Sequence, residues 1–327
     1  MGSITHLHER LRPAPLRIAS DEEVLTAAGD VVVLGADAPG IVLSDALVRS
    51  GLLAVSIPSD FDGADVSNGL IAQAVSRIAE VQPAAAAALA EHFRILELVR
   101  NAGSEEQRRS IYVRVAAGER LSAAGPVGRA ATLHYIPDGI GFKLSGELEA
   151  ASLGEPDWFA VLALNEAGAP SLLLAQRGST QAEIVRPGEP TLYRLDEAHV
   201  PAGAVLQPNG DALLLSRSLG TILQAATVLG EKRRQLAGNL ALWRDGRPSG
   251  DRPWDERIGR FLVEIETLAA LIDRASTALD LAQVNATPAG VVEVGKLATT
   301  IEIAFPIDGT RGTGHLLAEL GRTLFTG

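Results

Sequence analysis

The spacing of apolar residues changes character twice along this chain, and that succession restricts the fold more than any single motif. Between residues 20 and 120 the sequence is Ala-rich and its apolar positions recur at intervals of three and four. Ile71, Ala74, Val75, Ile78 and Ala79 form one such run, and Leu89, Phe93, Leu96 and Val99 the next, which is the period of amphipathic helices. Gly51 ends one helix, Ile57-Pro58 with Phe61-Asp62-Gly63 makes a loop, and Ser104 stands as the N-cap of a helix opening on Glu105-Glu106-Gln107. From 121 to 206 the helical period disappears. Short strand-like runs replace it, GFKL at 141–144, WFAVLAL at 158–164 and SLLLA at 171–175, each bounded by Gly, Pro or Asp. After QPNG at 207–210 long helical patterns return, carried by Leu215, Leu219, Ile222, Ala226 and Leu229, then Phe261 to Leu279, then Val294 to Ile301.

The fold class expected from this order is α+β, mostly α. Residues 1–20 form an N-terminal extension, 21–120 a helical domain, 121–207 a central β domain and 208–327 a C-terminal helical bundle. A chain of 327 residues, 46% hydrophobic, has enough apolar material for cores of that size.

Several function classes drop out. Lys and Arg number 29 against 40 Asp and Glu, a net charge of −11, and no block of five like charges occurs, so nucleic acid is not an expected partner. There are no cysteines, which removes thiolate nucleophiles and sulfur-ligated metals. The histidines, His6, His8, His92, His134, His199 and His315, have no metal-ligand spacing beyond the first pair, and no metal is expected. No run approaches the roughly 18 uncharged apolar residues of a membrane span, and HLHERLRPAPLR near the start lacks a signal peptide's apolar core. No membrane association and a cytoplasmic location are therefore expected. Glycine-rich dinucleotide fingerprints, a P-loop and a Gly-x-Ser-x-Gly elbow are absent as well.

One stretch resembles a known family. Residues 51–67, GLLAVSIPSDFDGADVS, look like the "GLLAVxVPxxxGGAxVS" loop of the acyl-CoA dehydrogenase superfamily. In the same order follow SRIAE at 76–80 with Pro83, Glu91-His92-Phe93, AGSEEQR at 102–108, AGER at 117–120, GFKLSG at 141–146, Val200-Pro201 and Asp308-Gly309-Thr310-Arg311. The resemblance covers nearly the whole chain. Its His-Phe pair and Gly-Thr-Arg turn are most similar to the sulfur-acquisition oxidoreductases and dibenzothiophene monooxygenases, which use reduced flavin and oxygen.

The resemblance implies an N-terminal helical domain, a β domain and a C-terminal bundle, with FAD or FMN between the last two. It also implies a homo-oligomer, dimer or tetramer, or a heteromer with a related subunit. The substrate it implies is a small molecule, an acyl thioester or a heteroatom compound. His92 matches the helical histidine facing the flavin, where imidazole could orient or supply a proton; packing in an apolar helix face is the competing reading. Ser122 lies where the family's first strand grips the ring edge, in LSAAGPVGR at 121–129, and Ser152 where a second grip falls, in ELEAASLG at 147–154. There Glu147 and Glu149 are expected to bring negative charge toward the site. Thr191 reads as the remnant of a shortened loop over 186–194. Arg244 and Arg247 correspond to a turn whose arginine reaches the cofactor phosphate, and Gly309, Thr310 and Arg311 to a glycine turn that could do likewise.

Desaturating members use a glutamate base. At one of its two positions this sequence has Ser216-Arg217, and it ends before the other. A monooxygenase needs no such base, because cofactor and oxygen carry out the oxidation while the protein supplies shape, dryness and a proton relay. The expected function is thus a flavin-dependent oxidoreductase, monooxygenase-like rather than desaturating. The alternative is a flavin-free partner subunit or small-ligand-binding homologue.

Overall fold

The structure, a computed structural model, describes residues 14–126, 133–150, 153–188, 190–246 and 252–306, with backbone alone for 126, 242–246 and 252–254. Among the described residues five α-helices precede the sheet: α1 (Asp21–Val33), α2 (Gly40–Ser50), α3 (Asn68–Ala79), α4 (Pro83–Ala102) and α5 (Glu105–Ala116). Their ends are written in the sequence. Ser20 and Ser104 each close a capping box, with Glu23 and Gln107 respectively, and Ser67 caps α3. Gly51 ends α2 in the left-handed region at φ 77°, where a Cβ would collide with the Leu16 carbonyl.

The β strands are β1 (Leu121–Pro126), β2 (His134–Asp138), β3 (Gly141–Ala150), β4 (Trp158–Leu164), β5 (Pro170–Gln176), β6 (Glu183–Arg186), β7 (Thr191–Pro201) and β8 (Val205–Leu206). They form one sheet in the order β6-β7-β3-β1-β4-β5-β8, with β2 paired to β3 and β4. β1 is central, antiparallel to β3 and parallel to β4. Alternate side chains turn inward, so that Leu144, Leu148, Phe159, Val161, Leu173, Tyr193 and Leu195 share one core. Within it Phe159 and Tyr193 meet edge to face at 4.9 Å. Among the described residues three long helices follow: α6 (Gly210–Gly246), α7 (Arg252–Val284) and α8 (Pro288–Ala304).

By internal contacts the chain divides into two compact units. One holds the residues up to Ala19, Ala38–Asp65 and Glu91–Leu213; the other holds Ser20–Asp37, Val66–Ala90 and the residues from Leu214 onward. The first contains the sheet with α2, α5 and the second half of α4. In the second, α1 packs on α3, and α7 packs on both α3 and α8. Asn68 fastens α3 to α7, its backbone and side chain both donating to Asp280 and its amide also to Gln283.

One sequence reading needs correction. The segment over 186–194 is not a shortened loop throughout: β6 and β7 flank a turn, and Thr191 begins β7 with its hydroxyl on the Gly188 carbonyl. Among the described residues the stretch Gly210–Ala241 of α6 is apolar and long enough to cross a membrane by length and composition, and 67% of its apolar window is buried inside the structure, as in a core helix.

Candidate functional site

The residues that carry chemistry in the sheet-bearing unit converge where α4 meets the start of β1. His92 sits on α4 with none of its surface exposed. The Leu121 amide donates to its Nδ1 at 3.1 Å, and its Nε2 lies 3.0 Å from the Leu53 carbonyl. A carbonyl can only accept, so the ring is the neutral tautomer with its proton on Nε2. Burial holds its pKa down at about 4, and the nearby Arg120 charge acts in the same direction. Both nitrogens are therefore committed to backbone, and taking up a proton at Nδ1 would break the bond to Leu121.

Ser122, the next residue along β1, is also buried. Its hydroxyl lies 3.2 Å from Glu91 Oε2 and 3.2 Å from the Ala123 carbonyl. Glu91 precedes His92 on α4, and its side chain keeps 25% of its surface exposed. Burial raises its pKa above the ordinary carboxylate value, opposed by Arg94 at 3.7 Å, by Ser122 and the Ala123 backbone and by Arg120.

Arg120 closes the cluster. It is 2% exposed, and its guanidinium donates to the carbonyls of Leu153 and Gly154 in the connection between β3 and β4. Its own amide donates to Asp157 at 2.8 Å, and its carbonyl accepts from the amides of Asp157 and Trp158. Arginine suits this place because a planar, permanently charged fork can serve several carbonyls at once.

The structure thus brings two sequence-predicted site residues, His92 and Ser122, to neighbouring positions. Ser152, Arg247, Gly309, Thr310 and Arg311 lie outside the described residues, and Arg244 falls in the last turn of α6, where only backbone is described. Glu147 and Glu149 do not deliver uncompensated charge. On the β3–β7 ladder Glu147 accepts from Arg194 at 2.9 Å, and Glu149 accepts from Arg186 of β6 at 3.0 Å. Ser216 is buried in α6. A carboxylate does reach that turn from α8: Glu302 accepts from Thr221 at 2.8 Å and from Arg217 at 3.3 Å.

Glu91, Arg120 and Glu302 are the residues sequence reasoning passed over. Glu91 and Arg120 stand inside the quoted Glu-His-Phe and Ala-Gly-Glu-Arg matches, so the available signal was a charged residue at the edge of an apolar helix or strand. Among the described residues no group of three His, Asp or Glu is placed to hold a metal. A groove of about 710 Å³, lined by Val228, Lys232, Glu264, Thr267 and Phe305, belongs to the helical unit alone.

The succession of helices, one sheet and long helices is an acyl-CoA dehydrogenase-like fold. Residues 20–119 match the acyl-CoA dehydrogenase N-terminal domain family. The FMN-bound structure of TdsC from Paenibacillus sp. A11-2 superposes with a TM-score of 0.78 at 16% identity, over 94% of this chain and 86% of that one. Methanesulfinate monooxygenase MsuC from Pseudomonas fluorescens gives 0.77 at 16% identity, over 94% and 87%. KijD3 in complex with FMN and a dTDP-linked amino-keto sugar gives 0.73 at 18% identity, over 96% and 84%. A search of curated proteins finds no match to this sequence.

Proposed function

We propose that the chain is a flavin-dependent oxidoreductase, of monooxygenase type rather than a desaturase, that acts on a small molecule. The observation that supports it best is the extent of the fold match. More than nine-tenths of the chain follows structures that include TdsC, a dibenzothiophene monooxygenase crystallised with FMN, and MsuC. Fold alone does not fix chemistry, so the donor set at β1 matters. The Ser122 hydroxyl lies 3.2 Å from the Glu91 carboxylate. A hydroxyl that serves a carboxylate oxygen has the chemistry to serve the acceptor-rich edge of an isoalloxazine, and in that sense it fits the cofactor.

A bound flavin supplies the redox chemistry and the means to use oxygen. The chain's own part would be to hold the ring edge through β1, to fix β1 through His92 and Arg120, and to exclude water. Arg247 or the Gly309-Thr310-Arg311 turn would meet the phosphate. The reading carries with it a cytoplasmic protein that assembles with a second copy of itself or a related subunit.

The test is a titration of the purified protein with FMN and FAD, followed by fluorescence anisotropy and visible absorbance. Saturable binding with a shifted flavin spectrum is expected, FMN being preferred. If neither flavin binds, the oxidoreductase reading fails and the flavin-free homologue takes its place. One observation favours that second reading: the hydrogen-bonding groups of His92 and Ser122 are already engaged by the protein itself.

A further inference from the structure

Two Asn-Gly pairs occur in this chain, Asn68-Gly69 and Asn209-Gly210, and the structure gives them opposite surroundings. We propose that Asn209-Gly210, at the entry to α6, is a self-modifying site: it deamidates in the folded protein with water as its co-reactant, while Asn68-Gly69 is kept intact. The inference is independent of the flavin reading.

An asparagine followed by glycine is chemically labile because no side chain on the next residue hinders approach to the asparagine amide. The Gly210 nitrogen gives up its proton to solvent base and attacks Cγ of Asn209. A C–N bond forms there, the Cγ–Nδ2 bond breaks and ammonia leaves, which closes a succinimide ring. Water then opens the ring at either carbonyl. Cutting the new bond gives aspartate, and cutting the original peptide bond gives isoaspartate. The net change is amide plus water to acid plus ammonia, with nothing oxidised or reduced.

The geometry at 209 suits each step. Asn209 and Gly210 are both exposed, so water and base reach them. Gly210 is the first residue of α6, and an N–H in the first turn of a helix has no intrahelical acceptor to hold its proton. A Cβ at Gly210 would stand in open space, which leaves room for the ring. The Ala212 amide donates to Asn209 Oδ1 at 2.8 Å, and that oxygen gains negative charge as the nitrogen attacks. A donor already in place at the positive end of a long helix stabilises the developing oxyanion. Asn68 is 3% exposed. Its Nδ2, the nitrogen that would leave, donates to Asp280 at 2.6 Å and to Gln283 at 2.9 Å, and its backbone amide donates to Asp280 at 2.9 Å. That side chain reacts only when this part of the protein opens.

The experiment incubates the full folded chain at neutral and at mildly alkaline pH and follows the tryptic peptides 195–217 and 50–77 by mass spectrometry. Each contains a single asparagine, Asn209 and Asn68 respectively. Peptide 195–217 is expected to gain the mass of an amide-to-acid exchange, faster at the higher pH, and to separate into aspartate and isoaspartate forms. Peptide 50–77 should change more than about tenfold more slowly, because it waits for local opening. In urea the two pairs should react alike. Gly210→Ala keeps the Asn209 cap and has space for its methyl group, and it should slow the exchange at 209 by at least about tenfold by hindering the attacking nitrogen. An Asn209 that keeps its amide in the folded chain while reacting in urea overturns the proposal. So does an Asn68 that reacts as fast as Asn209 in the folded chain, or an exchange at 209 that Gly210→Ala leaves unchanged.

Discussion

A histidine whose two nitrogens are both bonded to backbone supports the fold only in its neutral form. His92 has its pKa lowered from 6.5 to about 4, so between those values the unfolded chain binds a proton that the native chain does not. Its contribution is complete above about pH 6.5 and is lost as pH falls toward 4. At about 1.4 kcal/mol per unit, that is on the order of 3 kcal/mol. Glu91 acts in the opposite sense, because its raised pKa makes the native state the better proton binder as the solution becomes acid. Urea denaturation at a series of pH values separates the two: His92→Gln should flatten the acid loss, leaving whatever Glu91 adds. A variant that loses stability with acid as steeply as the wild type would show that His92 does not carry this term. The sequence disclosed that a histidine stood on an apolar helix face. Its bond to the Leu121 amide, 29 residues away, depends on where the chain enters the sheet, and local spacing does not carry that.

The elements were more legible than the residues. Ser104 and Gly51 announce helix ends because caps are local chemistry, and WFAVLAL coincides with β4 as a continuous apolar run at the middle of the sheet. β7 was harder. Its buried positions, Leu192, Tyr193, Leu195, Ala198 and Val200, are interrupted by Arg194, Asp196, Glu197 and His199, and a left-handed Glu197 breaks the alternation, so only pairing with β3 makes it a strand. Close packing between helices is equally silent in sequence. A Cβ at Gly230 of α6 would collide with the Ser76 carbonyl and the Ala79 side chain of α3, whereas one at Gly238 meets nothing within 4 Å. Gly230→Ala should therefore cost about 1–3 kcal/mol and lower the melting temperature, while Gly238→Ala should be neutral or stabilising by up to about 1 kcal/mol. Matching melts for the two variants would mean that α3 and α6 do not approach this closely.

At the scale of the whole molecule, the order helices, sheet, helices was plain from periodicity. The assignment of α1 and α3 to the unit that holds α6, α7 and α8 was not. That grouping depends on contacts such as Asn68 with Asp280, 212 positions apart, which no window of sequence contains. The charge balance belongs to this scale too. A net charge of −11 repels a phosphorylated ligand at long range, and added salt screens that repulsion over a Debye length of about 10 Å at 0.1 M. Stopped-flow mixing should show FMN associating faster as salt rises while uncharged riboflavin is unaffected. The reverse trend for FMN would mean that a local basic cluster dominates its approach.

Between the two titrating neighbours stands a group that cannot titrate in the accessible range. Arg120 remains a cation whether Glu91 gains a proton or His92 does, and it binds the Leu153 and Gly154 carbonyls, which have no protonation chemistry of their own. The doorway to the sheet is thereby pinned by an acid-proof rivet, so changes of charge on either side can alter what the site holds without altering where the strand begins.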